Sequence, residues 1–356
     1  MVVSSLTSTG ASHTSGSIRI EQFLLPVFAI VGGVSVLKGL GPSVSAGIEF
    51  YWLLGYEHGF IRRALIGTLF RPLVRLWSYD QLRPVIFTLH VAACVAIVAF
   101  CYVLFRRVVA AQEPVEIRIT LAIAFLCLMC SPLMPTLGHD VGYVDVYVIL
   151  LVLLGFWLVL RGQYVLAALP WLAGPLVHES FIFMWAPVAL VLAWSAITTR
   201  RNAWKNILVS AAPILSTAAV VLLQTDLAAA GAIDTLQVSD TIKEGLRAYQ
   251  LQQTASGSFA MMLRYQFPGN GPHVATSLAY FLPPSAAIVG AAAFCYWWRW
   301  RARALTLVVL VVAAMAPLTA MAFAWDLSRF VVWSNLAAAI ALIASGTILV
   351  AREDTR

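Results

Sequence analysis

Four short clusters in this chain combine residue types capable of acid–base or anion chemistry. They are Glu57-His58 followed by Arg62-Arg63, His139-Asp140 followed by Asp145, His178-Glu179, and Asp326 followed by Arg329. A carboxylate beside an imidazole supplies a general base with a neighbouring acid or hydrogen-bond donor. Guanidinium groups grip phosphate or carboxylate through a planar fork that lysine cannot offer. Each cluster also has a plainer reading. Arg62 and Arg63 can snorkel from an interfacial helix, Glu179 can favour a helix dipole at an N-terminus, and Asp326 with Arg329 can close a turn as an i,i+3 pair. His139, Asp140 and Asp145 are ligand types for a divalent metal, but not at a recognised spacing, and no metal or other cofactor is expected.

Several chemistries are disfavoured by missing motifs. The chain holds no Walker A, GxSxG, HExxH or GxGxxG sequence, which argues against ATP-driven transport by this chain alone, serine hydrolysis and zinc proteolysis. The five cysteines fall in apolar runs, where cysteine behaves as a small apolar residue. Cys127 and Cys130 have CxxC spacing without a second pair, and His90 reads as a packing residue rather than a ligand.

The elements that must position these clusters are apolar helices. The chain is 61% hydrophobic and 11% charged, with mean hydropathy +0.86, whereas soluble domains are about 25% charged. Apolar runs long enough for a hydrocarbon core of roughly 30 Å recur near 22–40, 84–105, 119–135, 143–160, 164–177, 180–198, 207–223, 276–298, 304–324 and 331–350. The fifth is short and is expected to be broken or fused with the sixth. The reading is an all-α, polytopic integral membrane protein of about ten transmembrane helices, since helices satisfy their own backbone in lipid. Residues 19–351 form one transmembrane unit. It is preceded by a disordered cytoplasmic N-terminus (1–18) and followed by a cytoplasmic tail (352–356).

Orientation follows from the basic residues. Arg106, Arg107 and Arg118, then Arg161, then Arg200, Arg201 and Lys205, then Arg299, Arg301 and Arg303, then Arg352 occupy alternate connections. Placing these inside satisfies the positive-inside rule and puts both termini in the cytoplasm. The net charge of +7 is then a topology signal, and no nucleic acid is expected as a partner. All the reactive clusters fall on the opposite, extracytoplasmic face.

Two outer connections stand out. The first, 41–83, is expected to carry interfacial amphipathic helices over Gly47–Trp77, broken at Gly55, Gly59 and Gly67, with Arg71 and Arg75 on one face. The longest, 224–275, holds Asp226, Asp234, Asp240, Lys243, Glu244, Arg247, Arg264 and His273 and an amphipathic stretch Thr241–Gln253. It reads as a lid over a polar chamber.

The segments Glu57-His-Gly-Phe-Ile-Arg-Arg63, Gly142-Tyr-Val-Asp145, Val177-His-Glu179 and Trp325-Asp-Leu-Ser-Arg329 resemble motifs of bacterial membrane proteins associated with polysaccharide export. In size and span number the chain is similar to EpsG-like and Wzy-like polysaccharide polymerases, and its architecture resembles the GT-C-type glycosyltransferases. The chain departs from GT-C enzymes in having no sizeable C-terminal outer domain and no DxD motif. It departs from Wzy-like proteins in concentrating arginine in the first outer connection.

The resemblance implies a bacterial inner-membrane enzyme of cell-envelope polysaccharide biosynthesis. It would move sugar from a polyprenyl-(pyro)phosphate carrier of the undecaprenyl type to a growing glycan or other acceptor at the extracytoplasmic face. Glu57, Asp145 and Glu179 are the candidate bases, with His178 as acid or donor. His58, Arg62, Arg63, His139, Asp140, Asp326 and Arg329 are the candidate contacts to lipid phosphate and sugar. The alternatives are a transporter or flippase for a lipid-linked or anionic solute, and a non-catalytic envelope subunit.

Overall fold

The structure, a computed structural model, describes residues 20–45, 48–56, 64–112, 115–178, 180–199, 203–223, 231, 233–236, 238–255, 278–279, 282–295, 304–318 and 327–353. Among them there is no strand. The helices are α1 (Ile20–Gly39), α2 (Glu49–Leu53), α3 (Leu65–Leu76), α4 (Tyr79–Ala110), α5 (Val115–Met129), α6 (Leu133–His139), α7 (Asp145–Leu160), α8 (Tyr164–Val177), α9 (Phe181–Thr199), α10 (Ala203–Leu223), α11 (Asp240–Ala255), α12 (Leu282–Cys295), α13 (Ala304–Met315) and α14 (Leu327–Glu353).

Three stretches are long and apolar enough to cross a membrane, Gln22–Gly39, Tyr79–Ala110 and Val115–His139, and several shorter helices are equally apolar. Their outward faces are apolar as well. Phe23 and Ile30 on α1, Val165 on α8 and Ile207, Leu208 and Leu222 on α10 all lie exposed. In water such a surface would be an aggregation liability; against hydrocarbon it costs nothing.

Local signals explain several boundaries. Helix α4 opens on a capping box in which the Ser78 backbone N–H donates to Gln81 Oε1 at 2.9 Å. The third apolar run is interrupted at Cys130–Pro132 and resumes as α6, so it is a kinked pair rather than one helix over 119–135. The fifth run is neither broken nor fused. It forms α8 and is separated from α9 by the His178–Ser180 connection. Helix α14 is the central post: residues 332–346 are all buried, in contact with α13, α9, α6, α4 and α5.

The described residues of the 41–83 connection differ from the expected surface helices. Helix α2 is not a surface helix; Phe50, Tyr51, Trp52 and Leu53 are all buried within the protein. The FYWL run carries too much apolar area to be left at a surface, and it inserts between neighbouring helices. Gly67 does not break a helix either. It sits inside α3, where a Cβ would collide with the Leu54 carbonyl, so glycine is needed for the α2–α3 approach. A similar close approach joins α1 to α6. There a Cβ at Gly39 would strike the Pro135 carbonyl, and one at Gly138 the Val36 carbonyl.

The bundle therefore has two chemically distinct ends. One end gathers the 40–56 segment, the start of α4, the α6–α7 turn, the α8–α9 turn and α11. The other holds Arg106, Arg107, Arg118, Arg161 and Lys205 among the described residues. There Arg161 lies over the Trp157 ring at 3.8 Å and Lys205 approaches the rings of Tyr164 and Trp204.

Candidate functional site

The turn between α6 and α7 carries His139, Asp140 and Asp145. Three groups pin it. Gly142 stands at φ +90°, a conformation that favours glycine, and an added Cβ would lie 2.6 Å from Ile48 Cδ1. Its carbonyl accepts the Trp52 indole N–H at 2.9 Å. Its N–H donates to His90 Nδ1 at 3.2 Å, while His90 Nε2 lies 2.7 Å from the Leu137 carbonyl. A carbonyl only accepts, so Nε2 carries the proton and His90 is the neutral Nε2–H tautomer. The imidazole thus joins both sides of the turn to α4. Backbone bonds from Gly41 to Gly138 and from Ser45 to Val141 tie α1 and its following segment to the same turn.

This geometry separates the two aspartates. They do not share a helix: Asp140 follows the last residue of α6, and Asp145 is the first residue of α7. Asp145 is 8% exposed, and its carboxylate sits at a helix N-terminus, where the dipole favours negative charge. Asp140 Oδ1 lies 3.1 Å from Nδ1 of His139, whose side chain is 79% exposed. The carboxylate accepts, so Nδ1 of His139 donates. Among the described residues no group of three metal-ligating side chains comes together.

The plug helix α2 links the turn to the α8–α9 connection. The Tyr51 ring lies 6.1 Å, centroid to centroid, from both Tyr143 and His178. Trp52 meets Phe70 and Tyr147 edge to face. The neighbouring Tyr56 hydroxyl donates to the Leu176 carbonyl at 3.3 Å, and the Tyr56 N–H donates to Thr68 Oγ1 at 2.8 Å. Burial pushes the Tyr56 phenol up to about 12, so it is a fixed donor at neutral pH. His178 itself accepts the Ser180 N–H on Nδ1 at 3.0 Å. In its neutral form Nε2 then carries the proton, which suits a donor and not a base at Nε2.

Helix α11 touches α2, and a cleft of 560 Å³ lies between Ser78–Asp80 at the head of α4 and the 234–243 segment. The Arg247 guanidinium bonds the Asp234 carboxylate, which holds the arginine above its ordinary pKa. At the other flank Arg83 pairs with Asp80 at 3.8 Å.

The structure thus brings together His139, Asp140, Asp145 and His178 at one end of the bundle. Glu57, His58, Arg62, Arg63, Glu179 and Asp326 lie outside the described residues. Arg329 falls within α14 near its start. Sequence reasoning missed Tyr51, Trp52 and Tyr143, the aromatic bridge, and took His90 for packing alone. The signal for Trp52 was the FYWL run between glycines; for His90 no local signal exists, because its partners are 47 and 52 residues away. Comparison of the chain with known protein families, with curated proteins and with solved structures found no match.

Proposed function

We propose that this protein is a bacterial inner-membrane glycosyltransferase or polysaccharide polymerase with about ten membrane spans and both termini in the cytoplasm. Its substrates are sugars linked to polyprenyl (pyro)phosphate, used at the extracytoplasmic face. The observation that carries this reading is that the α6–α7 turn, with Asp140 and Asp145, and His178 lie at one end of an apolar bundle, where the Tyr51 ring meets Tyr143 and His178, opposite Arg106, Arg107, Arg118, Arg161 and Lys205. The positive-inside rule makes that end extracytoplasmic.

Helix lengths support the same reading. Helices α7 and α8 have 16 and 14 residues, about 24 and 21 Å, against a hydrocarbon core of roughly 30 Å. A helix shorter than the core leaves at least one end below the headgroup level, and in this reading those ends are Asp145 and His178, within reach of a lipid-borne substrate.

Chemically, transfer from a lipid phosphate needs a base for the acceptor hydroxyl and cations for the departing phosphate. In this scheme Asp145, Glu57 and Glu179 compete for the role of base. His178 donates through Nε2, and Arg62, Arg63 and Arg329 face the phosphate, while His58, His139, Asp140 and Asp326 hold sugar hydroxyls.

The test is transfer of labelled sugar from a polyprenyl-linked donor to acceptor by the purified protein in liposomes. The true base, replaced as Asp145→Asn, Glu57→Gln or Glu179→Gln, should cost at least about 100-fold in rate with donor binding intact. Activity within a few-fold of wild type in all three removes the carboxylate mechanism.

A flippase for a lipid-linked solute is the second reading, favoured by one observation. About two turns inside α14, Ser285 donates to Asn335 Oδ1 beside Ser334, and the fully buried Asn335 Nδ2 has no hydrogen-bond partner among the described residues. A polar cluster at that depth lies where transported groups would pass. Movement of a polyprenyl-linked sugar across the vesicle wall without any new glycosidic bond would select it.

A further inference from the structure

We infer that the turn between α7 and α8, together with the start of α10, binds the headgroup of an anionic phospholipid. The inference rests on the membrane placement in the proposed function and not on sugar transfer, whose candidate residues lie at the opposite end of the bundle.

Two cations border this turn. Arg161 follows the last residue of α7, and its guanidinium lies over the Trp157 ring at 3.8 Å. Lys205, in the first turn of α10, has its Nζ 5.7 Å from the Tyr164 ring and 5.6 Å from the Trp204 ring. Tyr164 opens α8, and α8 packs against both α7 and α10, so both cations belong to one patch. Among the described residues neither has a carboxylate partner. The sequence explains why. From Val146 to Thr225 the only acidic residue is Glu179, which follows the far end of α8 in the chain.

Aromatic contact holds these cations without neutralising them. A ring quadrupole attracts a guanidinium or ammonium group and leaves its N–H donors for an anion. Helix α8 adds to the field. It begins after Gln163 with no side-chain cap and no acidic residue in its first turn, so its dipole also presents positive potential at the turn.

The helices that bear the cations select a lipid over other anions. Val165 and Leu169 on α8 are four residues apart, Leu208 and Leu215 on α10 are seven apart, and all four are exposed. Each spacing keeps its pair on one helix face. Apolar stripes therefore run along α8 and α10 away from the charged end, where acyl chains would lie. Trp204 is exposed beside Lys205, a position that suits an indole at the membrane–water boundary. A free phosphate would use the cations and leave the stripes bare. A phosphodiester carrying two acyl chains uses both, as anionic headgroups do in basic sites between membrane helices.

Native mass spectrometry of the full chain released from detergent micelles tests the site, with dioleoyl phosphatidylglycerol titrated against dioleoyl phosphatidylcholine. The protein should retain phosphatidylglycerol in preference. Arg161→Gln and Lys205→Gln should each weaken that retention about fivefold, the effect of one basic side chain on an anionic lipid. Trp157→Leu keeps the charge and removes the aromatic platform, and should weaken retention about threefold. Arg107→Gln is an equal loss of charge on α4, whose helix packs against α1, α5 and α7, and should change retention less than about twofold. Equal retention of the two lipids overturns the inference, as does retention unchanged in both cation variants or a loss in Arg107→Gln as large as theirs. Displacement of the lipid by glycerol phosphate would make this a free-phosphate site and overturn it too. Sugar transfer measured on the same preparation separates the readings. Transfer without lipid preference overturns this inference alone, and lipid preference without transfer leaves it standing while the transferase reading falls.

Discussion

His90 is a buried imidazole whose two nitrogens serve two backbone groups of one turn; its removal would orphan the Gly142 N–H and leave the Leu137 carbonyl only the Cys94 Sγ contact at 3.5 Å. Leaving a buried backbone donor or acceptor unsatisfied costs about 1–3 kcal/mol. His90→Leu should therefore lower the melting temperature in detergent markedly. His90→Gln should recover part of the loss, because its amide offers one donor and one acceptor. A His90→Leu variant as stable as wild type would show that the turn holds without it. Tyr56 gives a complementary expectation. Its folded-state pKa, pushed up to about 12 by burial, exceeds the ordinary value of about 10. Its stabilising contribution is therefore complete below pH 10 and disappears as pH rises through 12. The stability gap between wild type and Tyr56→Phe should stay constant across neutral pH, as measured by thermal melts; a gap that changes there would mean the phenol titrates.

At the scale of elements, the α6–α7 turn depends on one glycine. A left-handed L-residue costs about 1–2 kcal/mol, and the Cβ of Gly142→Ala would also press on Ile48, 2.6 Å away. Repacking adds about 1–3 kcal/mol. The variant should lose stability and, by displacing Asp145, transfer activity; a variant melting like wild type would deny the turn its role.

The helices around this turn were legible because long apolar runs leave few alternatives. The amphipathic Thr241–Gln253 was legible too, and forms most of α11. Helix α2 was not, since a five-residue apolar run between glycines reads as an interfacial segment until its neighbours are known. Gly67 misled for a related reason: glycine that breaks a helix and glycine that lets two backbones meet look identical in sequence. The pairing of Asp140 with His139 was adjacent and readable, whereas the Tyr51 bridge joins residues far apart in the chain. No local pattern encodes such a contact.

For the whole molecule, the functional reading requires that its polar end face away from the basic end across a membrane. Asp80 and Lys243 line one cleft although one lies at the head of α4 and the other on α11, so they must label from the same side. Gln163, exposed in the α7–α8 connection, marks the opposite end. A cysteine-free background replaces Cys94, Cys101, Cys127, Cys130 and Cys295, all free thiols. Alanine suits the buried Cys101, whereas serine at Cys94 can keep the donation that the thiol makes to the Leu137 carbonyl at 3.5 Å. In intact spheroplasts an impermeant maleimide should label Asp80→Cys and Lys243→Cys alike and reach Gln163→Cys only after the membrane is opened. Labelling of Gln163→Cys alone would invert the orientation and move the α6–α7 turn, the cleft and the acid–base residues to the cytoplasm, where a lipid-linked sugar at the outer face could not meet them. Labelling of Asp80→Cys without Lys243→Cys would place α11 away from the head of α4, dissolving the cleft while leaving the α6–α7 turn and its aspartates untouched.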